Sequence, residues 1–337
     1  MIDVVVLGLS ETSSIALTGL FDVIAKADAA YGALHGRPVR DNLFDPRLVS
    51  LDGQPIRLGQ RITVTPDMAA PAVSAVDLVV VPGLNDDLAP SLLLNEPWAP
   101  WIAKWHGEGA TIASSCSGAF LLAAAGVLDG RAATTHWMYA DQLRQRHPQV
   151  RVAADRLIID EGDIITSGGA TTFLDLALYL VERFGGHDRA NAAARVLLID
   201  GARTSQLPYV YVSGEHRDHD DAAVHQAQTI IDANLAGSLR VDGLAAEVGL
   251  SSRTLGRRFE DALGHSPQTY IQLRRVESAR RLLECTQEPI GNIQRQVGYS
   301  DPTAFRRAFR DHVGLSPSDY RTRFGWRTTS PSPAHTR

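Results

Sequence analysis

The sequence predicts an α/β sandwich on a mostly parallel sheet, followed by an all-α domain with two helix-turn-helix units. Three observations lead there. Over the first 200 or so residues, short apolar runs alternate with helical patterns. From Ala222 onward the strand signals stop, and Gly, Pro and Ser punctuate short amphipathic segments. Near the C-terminus a block of residues recurs at a spacing of about 50.

The strand candidates are residues 2–7, 47–51, 77–81, 111–115, 157–160 and 164–166. Runs such as IDVVVL and DLVVV are near-continuously apolar, as in strands buried on both faces. Helical patterns fill 17–30, 97–107, 118–125, 136–146 and 172–184, and a last helix at 188–198 closes the domain. The expected layering is that of a flavodoxin-like sandwich. The run SGEHRDHDD at 213–221 is polar, charged and aperiodic, so it reads as interdomain linker. Its histidines belong to a solvated loop, and no metal is expected there. The expected limits are 1–205 for the first domain, 206–221 for the linker, 222–327 for the second domain and 328–337 for a disordered tail.

The chain has 337 residues and 36.5 kDa, enough for two domains. Apolar residues make up 44% and charged residues 21%, which excludes a mostly disordered chain. No window approaches the length of a membrane span, so no membrane partner is expected. The N-terminus lacks the basic region of a signal peptide, and the two cysteines, Cys116 and Cys285, cannot build a disulfide framework. A cytoplasmic protein is expected. The net charge of −5 hides an asymmetry: residues 238–327 hold fifteen Arg, no Lys and ten Asp or Glu, a balance of +5 that leaves −10 elsewhere. A basic domain joined to an acidic one points to a polyanion partner.

The repeat pairs Gly249 with Gly298, Phe259 with Phe309, and Gly264, Ser266, Pro267 and Tyr270 with Gly314, Ser316, Pro317 and Tyr320. Each copy reads as helix, tight turn, helix. In the first, Gly249 ends a helix and Ser251 or Ser252 caps the next, which buries Leu255, Phe259 and Leu263. Its outer face shows Arg253, Gly256 and Arg257. In the second, Pro302 suits the first helical turn, Phe305, Phe309 and Val313 are buried, and Thr303, Arg306, Arg307 and Arg310 face out. Two such pairs suit successive major grooves, with Arg binding guanine edges or phosphate. On LAAEVGLSSRTLGRRF, LRRVESARRLL and GYSDPTAFRRAFRDHVGLSPSDYR, residues 238–324 closely resemble the AraC/XylS family DNA-binding domain. The resemblance implies DNA contact through Arg253, Gly256, Arg257, Thr303, Arg306 and Arg307 on two adjacent major-groove segments per chain. It departs at Gln294, where the family usually has a small Ala, and the larger polar side chain is expected to loosen that unit.

In the first domain, TIASSCSGAFLLAAAGVLDGRAATTHW runs from strand into helix at Cys116. A residue at such an elbow projects, and a helix N-terminus lowers a thiol pKa. His136 follows 20 residues later. Three readings of Cys116 stand: it lines a ligand pocket, it is an inert remnant of the fold, or it is a catalytic or redox-sensing thiol. His136 is a pocket residue or a satisfied core histidine, and Trp137 stacks on a ligand or fills the core. Asp175, in an apolar helix, is expected to be held by a hydrogen bond to a loop, and Cys285 to be a core residue of the helix bridging the two units. There is no phosphate-cradling loop, dinucleotide fingerprint or zinc-like spacing, so no cofactor is expected.

On VVVPG, the cysteine segment, DEGDIITSGGATTFLDLALYLVE and AAARVLLID, residues 1–205 resemble the ThiJ/PfpI superfamily, of class I glutamine amidotransferase-like fold. More narrowly they are similar to the sensor half of GlxA-type transcription regulators. The resemblance implies a pocket of Gly83, Leu84, Cys116, Ser117, His136 and Trp137, with the amides of Gly83, Leu84 and Ser117 forming an anion site. The superfamily's enzymes place a carboxylate near the position of Ala16, and here there is none. No catalytic residue is therefore expected. The whole implies a DNA-binding regulator, a homodimer, controlled by a small-molecule effector of the amino-acid or quaternary-amine type. The alternative is a thiol-dependent hydrolase or lyase fused to a DNA-binding module.

Overall fold

The computed structural model describes residues 1–36, 42–59, 61–85, 87–201, 203–210 and 219–325. Two compact units divide the chain, Met1–Gln206 and Leu207–Arg337. Residues 211–218 of the expected linker and the whole of the expected tail lie outside the described residues.

The first unit's strands are β1 (Ile2–Leu7), β2 (Phe44–Ser50), β3 (Ile56–Leu58), β4 (Ile62–Val64), β5 (Met68–Ala69), β6 (Leu78–Val81), β7 (Thr111–Ser115), β8 (Ala132–Ala133), β9 (Arg151–Val152), β10 (Ile158–Asp160) and β11 (Ile164–Ser167). Its helices are α1 (Ser14–His35), α2 (Leu88–Asn95), α3 (Trp98–Gly107), α4 (Ala119–Ala124), α5 (Ala140–Arg146), α6 (Phe173–Gly185) and α7 (His187–Leu197). Seven strands form one sheet in the order β10-β11-β7-β6-β1-β2-β5, parallel except where β10 runs against β11. The antiparallel pair β3–β4 and the short pair β8–β9 were not expected, and neither were β5 and α2. The strands among these have two or three residues each, too few for a period to show.

Successive strand residues alternate between two cores. Val4 and Val6 of β1, with Leu78, Val80, Ala113 and Ile165, pack under α1 and α6 against Leu17, Leu20, Leu176 and Leu180. Val5 and Leu7, with Val79, Val81, Ile112 and Ile164, pack on the other face against Trp98, Ile102, Trp105 and Phe120. Both faces of the parallel sheet are thus covered, which is why its strands carry few polar residues. The strand ends converge at one edge of this sandwich, where the loops after β1, β6, β7 and β11 meet.

In the second unit the helices are α8 (Ala222–Ala233), α9 (Val241–Glu247), α10 (Ser252–Leu263), α11 (Pro267–Cys285), α12 (Ile290–Gln296), α13 (Pro302–Val313) and α14 (Pro317–Phe324). The repeat is structural. Leu255 and Phe259 of α10 are buried with Tyr270, and Phe305 and Phe309 of α13 with Tyr320. Phe259 meets Tyr270 edge-on with centroids 5.8 Å apart, and Phe309 meets Tyr320 the same way at 5.5 Å. The 19-residue α11 serves both cores, giving Tyr270 and Ile271 to one and Val276, Ala279 and Leu283 to the other. Ser251 caps α10, Asp301 caps α13 with Pro302 in its first turn, and Gly249 and Gly298 close the preceding turns at positive φ.

Two expectations fail here. Gln294 does not loosen its unit: it is buried at 5% exposure, and its amide nitrogen donates to the Tyr299 carbonyl at 3.1 Å, tying α12 to the turn that follows. Cys285 is exposed, because Leu283 takes the core direction and Cys285 ends α11 two residues later on the solvent side.

Candidate functional site

The first candidate site is an open cavity of about 780 Å³ in the first unit, at the strand ends. Four of the expected residues line it: Gly83, Leu84, Cys116 and His136. Cys116 sits where β7 gives way to a 3-10 turn, Cys116–Gly118, and α4. Its φ is +54°, a left-handed conformation that a residue with a side chain rarely adopts. Its amide donates to Gly168 O at 2.9 Å, and its carbonyl accepts from Thr135 Oγ1 at 2.8 Å. A Cβ placed on Gly83 would lie 2.8 Å from Cys116 Cβ, so the loop after β6 can pass the elbow only as glycine.

Ser117 and Trp137 are not among the lining residues. Ser117 is fully buried: its hydroxyl accepts the Leu84 amide at 2.8 Å and contacts Leu84 O at 3.3 Å. The Leu84 amide expected to hold an anion is therefore spent within the protein. Trp137 begins the 3-10 turn Trp137–Tyr139 and lies half-buried beside His136, with ring centroids 5.5 Å apart. The next two residues, Met138 and Tyr139, line the cavity instead. His136 caps that turn, its Nδ1 accepting the Met138 amide at 3.1 Å, which places the neutral ring's proton on Nε2.

Sequence reasoning missed the other wall. Ala170 has φ +52° and opens a 3-10 turn, Ala170–Thr172, three residues past the end of β11, while Cys116 opens one directly after β7, so two neighbouring parallel strands each lead into a strained turn at one cavity. Strained non-glycine backbone of this kind concentrates at ligand clamps. The only signal was the Gly168-Gly169 doublet, which allows His136 to press on the backbone: a Cβ on Gly169 would fall 1.7 Å from its ring. Ser13 at the N-cap of α1 and Ile15 and Ala16 in its first turn, with Asn85 and Thr171, complete the lining. Ala16 stands where the enzymes' carboxylate was expected. Glu11 accepts from Asn85 Nδ2 at 3.3 Å, and Asp22 pairs with Lys26 at 2.5 Å on the surface. Among the described residues no Asp, Glu, Lys or Arg lines the cavity.

Behind the cavity lies Gln206, 3% exposed. Its Oε1 accepts the Gly169 amide at 3.2 Å, and its Nε2 donates to Thr135 O at 2.9 Å and Arg156 O at 3.0 Å. Three residues earlier, Arg203 pairs with buried Asp175 and donates to Thr171 O at 3.0 Å. Burial pushes the Asp175 carboxyl up, and Arg203 opposes it.

The second candidate site is the outer surface of α10 and α13. Arg253 and Arg257 of α10, and Thr303, Arg306, Arg307 and Arg310 of α13, are exposed, and Gly256 lies between the first two. These five guanidiniums engage no hydrogen bond or ion pair among the described residues. Several other arginines of the unit are committed: Arg258 to Asp221 at 2.6 Å, Arg274 to Asp232 at 2.8 Å, and Arg280, 6% exposed, to Tyr320 Oη at 3.0 Å and Pro208 O at 2.8 Å; exposed Arg281 on α11 and the Nε and Nη2 of Arg321 on α14 are not. Beside Arg280 and Glu284, burial pushes the Tyr320 hydroxyl up to about 12.

The DJ-1/PfpI family model matches residues 4–183, and a helix-turn-helix domain model matches residues 244–323. The chain is 26% identical over 283 residues to the HTH-type transcriptional regulator GbdR of Pseudomonas aeruginosa, covering 83% of this chain and 75% of that one. It is 30% identical over 218 residues to the HTH-type transcriptional regulator GlxA of Rhizobium meliloti, covering 64% of this chain and 67% of that one. A crystal structure of a Vibrio parahaemolyticus protein overlays with a TM-score of 0.51 at 18% identity, covering 58% of this chain and 98% of that one, a likeness of fold.

Proposed function

The chain belongs to the DJ-1/PfpI family, carries an AraC-type helix-turn-helix domain and is a transcription regulator; from that premise we propose that a small metabolite bound beside Cys116 controls how the second unit engages DNA. The observation that carries the DNA half is the contrast between committed and uncommitted arginines: the outer faces of α10 and α13 hold guanidiniums that the protein itself does not use. Each chain covers two adjacent major-groove segments, about 10 bp apart. The expected base contacts are Arg253, Gly256 and Arg257 in one and Thr303, Arg306 and Arg307 in the other.

The ligand half is supported by the cavity. About 780 Å³ lies within the range of small-molecule sites. Its described lining offers hydroxyl, amide, thiol and imidazole groups beside Ile15, Leu84 and Met138, but no fixed charge. It suits a small molecule of no net charge, a description that includes zwitterionic amino acids and betaines. The thiol-hydrolase alternative lacks its acid, since Ala16 occupies the place, and the relatives above are named regulators. The proposal includes a homodimer held by the first unit and a cytoplasmic location with the DNA. Among the described residues no helix is long and apolar enough to cross a membrane.

The test is selection from a random duplex library with the full chain, followed by a thermal-shift screen of charge-neutral metabolites on wild type and Cys116→Ala. Enrichment of one sequence, with affinity that falls steeply with salt, supports the DNA half. A metabolite that raises the melting temperature of both proteins supports the ligand half. No enrichment, or a metabolite consumed only by the wild type, overturns the corresponding half.

A further inference from the structure

The two helix-turn-helix units are not equivalent readers, and the difference centres on Gly256. On α10, residues 253, 256, 257 and 260 share the outward face, and on α13 residues 303, 306, 307 and 310 do. The first face reads Arg, Gly, Arg, Glu, and the second Thr, Arg, Arg, Arg. Gly256 thus stands where the repeat places Arg306. It is the fifth of twelve residues in α10, well inside the helix, where glycine is disfavoured against alanine.

Neither backbone nor packing accounts for it. Gly256 is not among the residues of positive φ, and a Cβ built there meets nothing within 4 Å. Gly243 and Gly291 also look onto open space, but they lie in the first turns of α9 and α12, where glycine costs less. What Gly256 leaves is a notch between two exposed guanidiniums, on the face that the reading above turns toward DNA.

We propose that Gly256 is a specificity-determining position at which the missing side chain receives a thymine methyl in the major groove. The C5-methyl of thymine is the apolar projection of that groove, and it needs room at the helix surface. Arg253 and Arg257 flank the notch and can take guanine edges on either side. The face of α10 carries two cations and a carboxylate, so it gains less from phosphate than α13 with its three cations. Close seating is therefore how α10 contributes, and grip is how α13 contributes.

This rests on the DNA-binding reading and is tested separately from it. The full chain is titrated by fluorescence anisotropy on its selected duplex and on a set in which each thymine in turn is replaced by uracil, which removes only the methyl. For the wild type, one replacement in the α10 half-site weakens binding roughly 3- to 10-fold. Gly256→Ala binds the thymine duplex at least about 5-fold more weakly and no longer distinguishes the two bases, while its melting temperature rises by roughly 2–4 °C, as removal of a helical glycine predicts. Unchanged or tighter binding by Gly256→Ala overturns the proposal, as does a wild type indifferent to every uracil. Failure to select any duplex would overturn the DNA-binding reading itself.

Discussion

Gln206 Oε1 accepts the Gly169 amide 3.2 Å away, and through this contact the last residue of the first unit holds one wall of the cavity. The same side chain donates to Thr135 O at 2.9 Å, next to His136, so one amide group fixes the turns that carry both Ala170 and His136. Gln206→Ala takes away the acceptor of the buried Gly169 amide, at a cost of about 1–3 kcal/mol. The expected result is a lower urea midpoint with an unchanged slope, together with a smaller thermal shift from any cavity ligand.

Gly83→Ala forces a methyl to within 2.8 Å of Cys116 Cβ. Overpacking of this kind costs about 1–3 kcal/mol. Thermal melting should show that loss, and ligand binding should fall by more than in Cys116→Ala, which opens space instead of closing it.

Neighbouring arginines on α10 should part company. Arg257→Ala is expected to weaken the selected duplex by about 1–3 kcal/mol and relax preference locally, with little change in stability, because Arg257 holds nothing in the protein. Arg258→Ala breaks the Asp221 pair at the start of α8 and should lower stability slightly while leaving sequence preference intact. On α13, loss of a guanidinium that meets phosphate should weaken all duplexes alike and reduce the salt slope by about 1.

Acid sensitivity should trace partly to Asp163. The Arg131 guanidinium beside it, with His106 at 2.7 Å, holds its carboxyl well below the usual carboxylate range. A carboxyl depressed in the folded state stabilises the protein above its unfolded pKa, and that contribution is lost as pH falls through and below about 4. Melting temperature followed from pH 7 downward should drop less steeply in Asp163→Asn than in the wild type, with the two curves converging in acid.

Much of this molecule was legible in its residues because its signals are local and repeated. The apolar runs of β1, β6 and β7 reported a sheet buried on both faces, and the Gly249–Tyr270 and Gly298–Tyr320 blocks reported the two helix pairs. Cys116 was found because a strand running into small residues marks an elbow. Ala170 was missed because its elbow carries no chemical group, only a left-handed backbone. Trp137 was placed in the cavity because aromatic residues beside a pocket invite it, but the turn at His136 presents Met138 and Tyr139 instead. Gln206 gave no signal: its partners Thr135, Arg156 and Gly169 lie 71, 50 and 37 residues away in sequence, and no period connects them. Cys285 and Gln294 went wrong for a related reason. Burial at a helix end depends on which neighbour reaches the core first, and tolerance of a polar side chain depends on a partner such as the Tyr299 carbonyl.

The central claim is that occupation of the cavity changes DNA binding without chemistry. The most direct measurement is an anisotropy titration of the full chain on its selected duplex, with and without a metabolite that raises its melting temperature, for wild type and Cys116→Ala. The account predicts a shift in Kd of roughly 5- to 150-fold in both proteins, with the metabolite recovered intact. An identical Kd with and without the metabolite, accompanied by its conversion in the wild type alone, would contradict it.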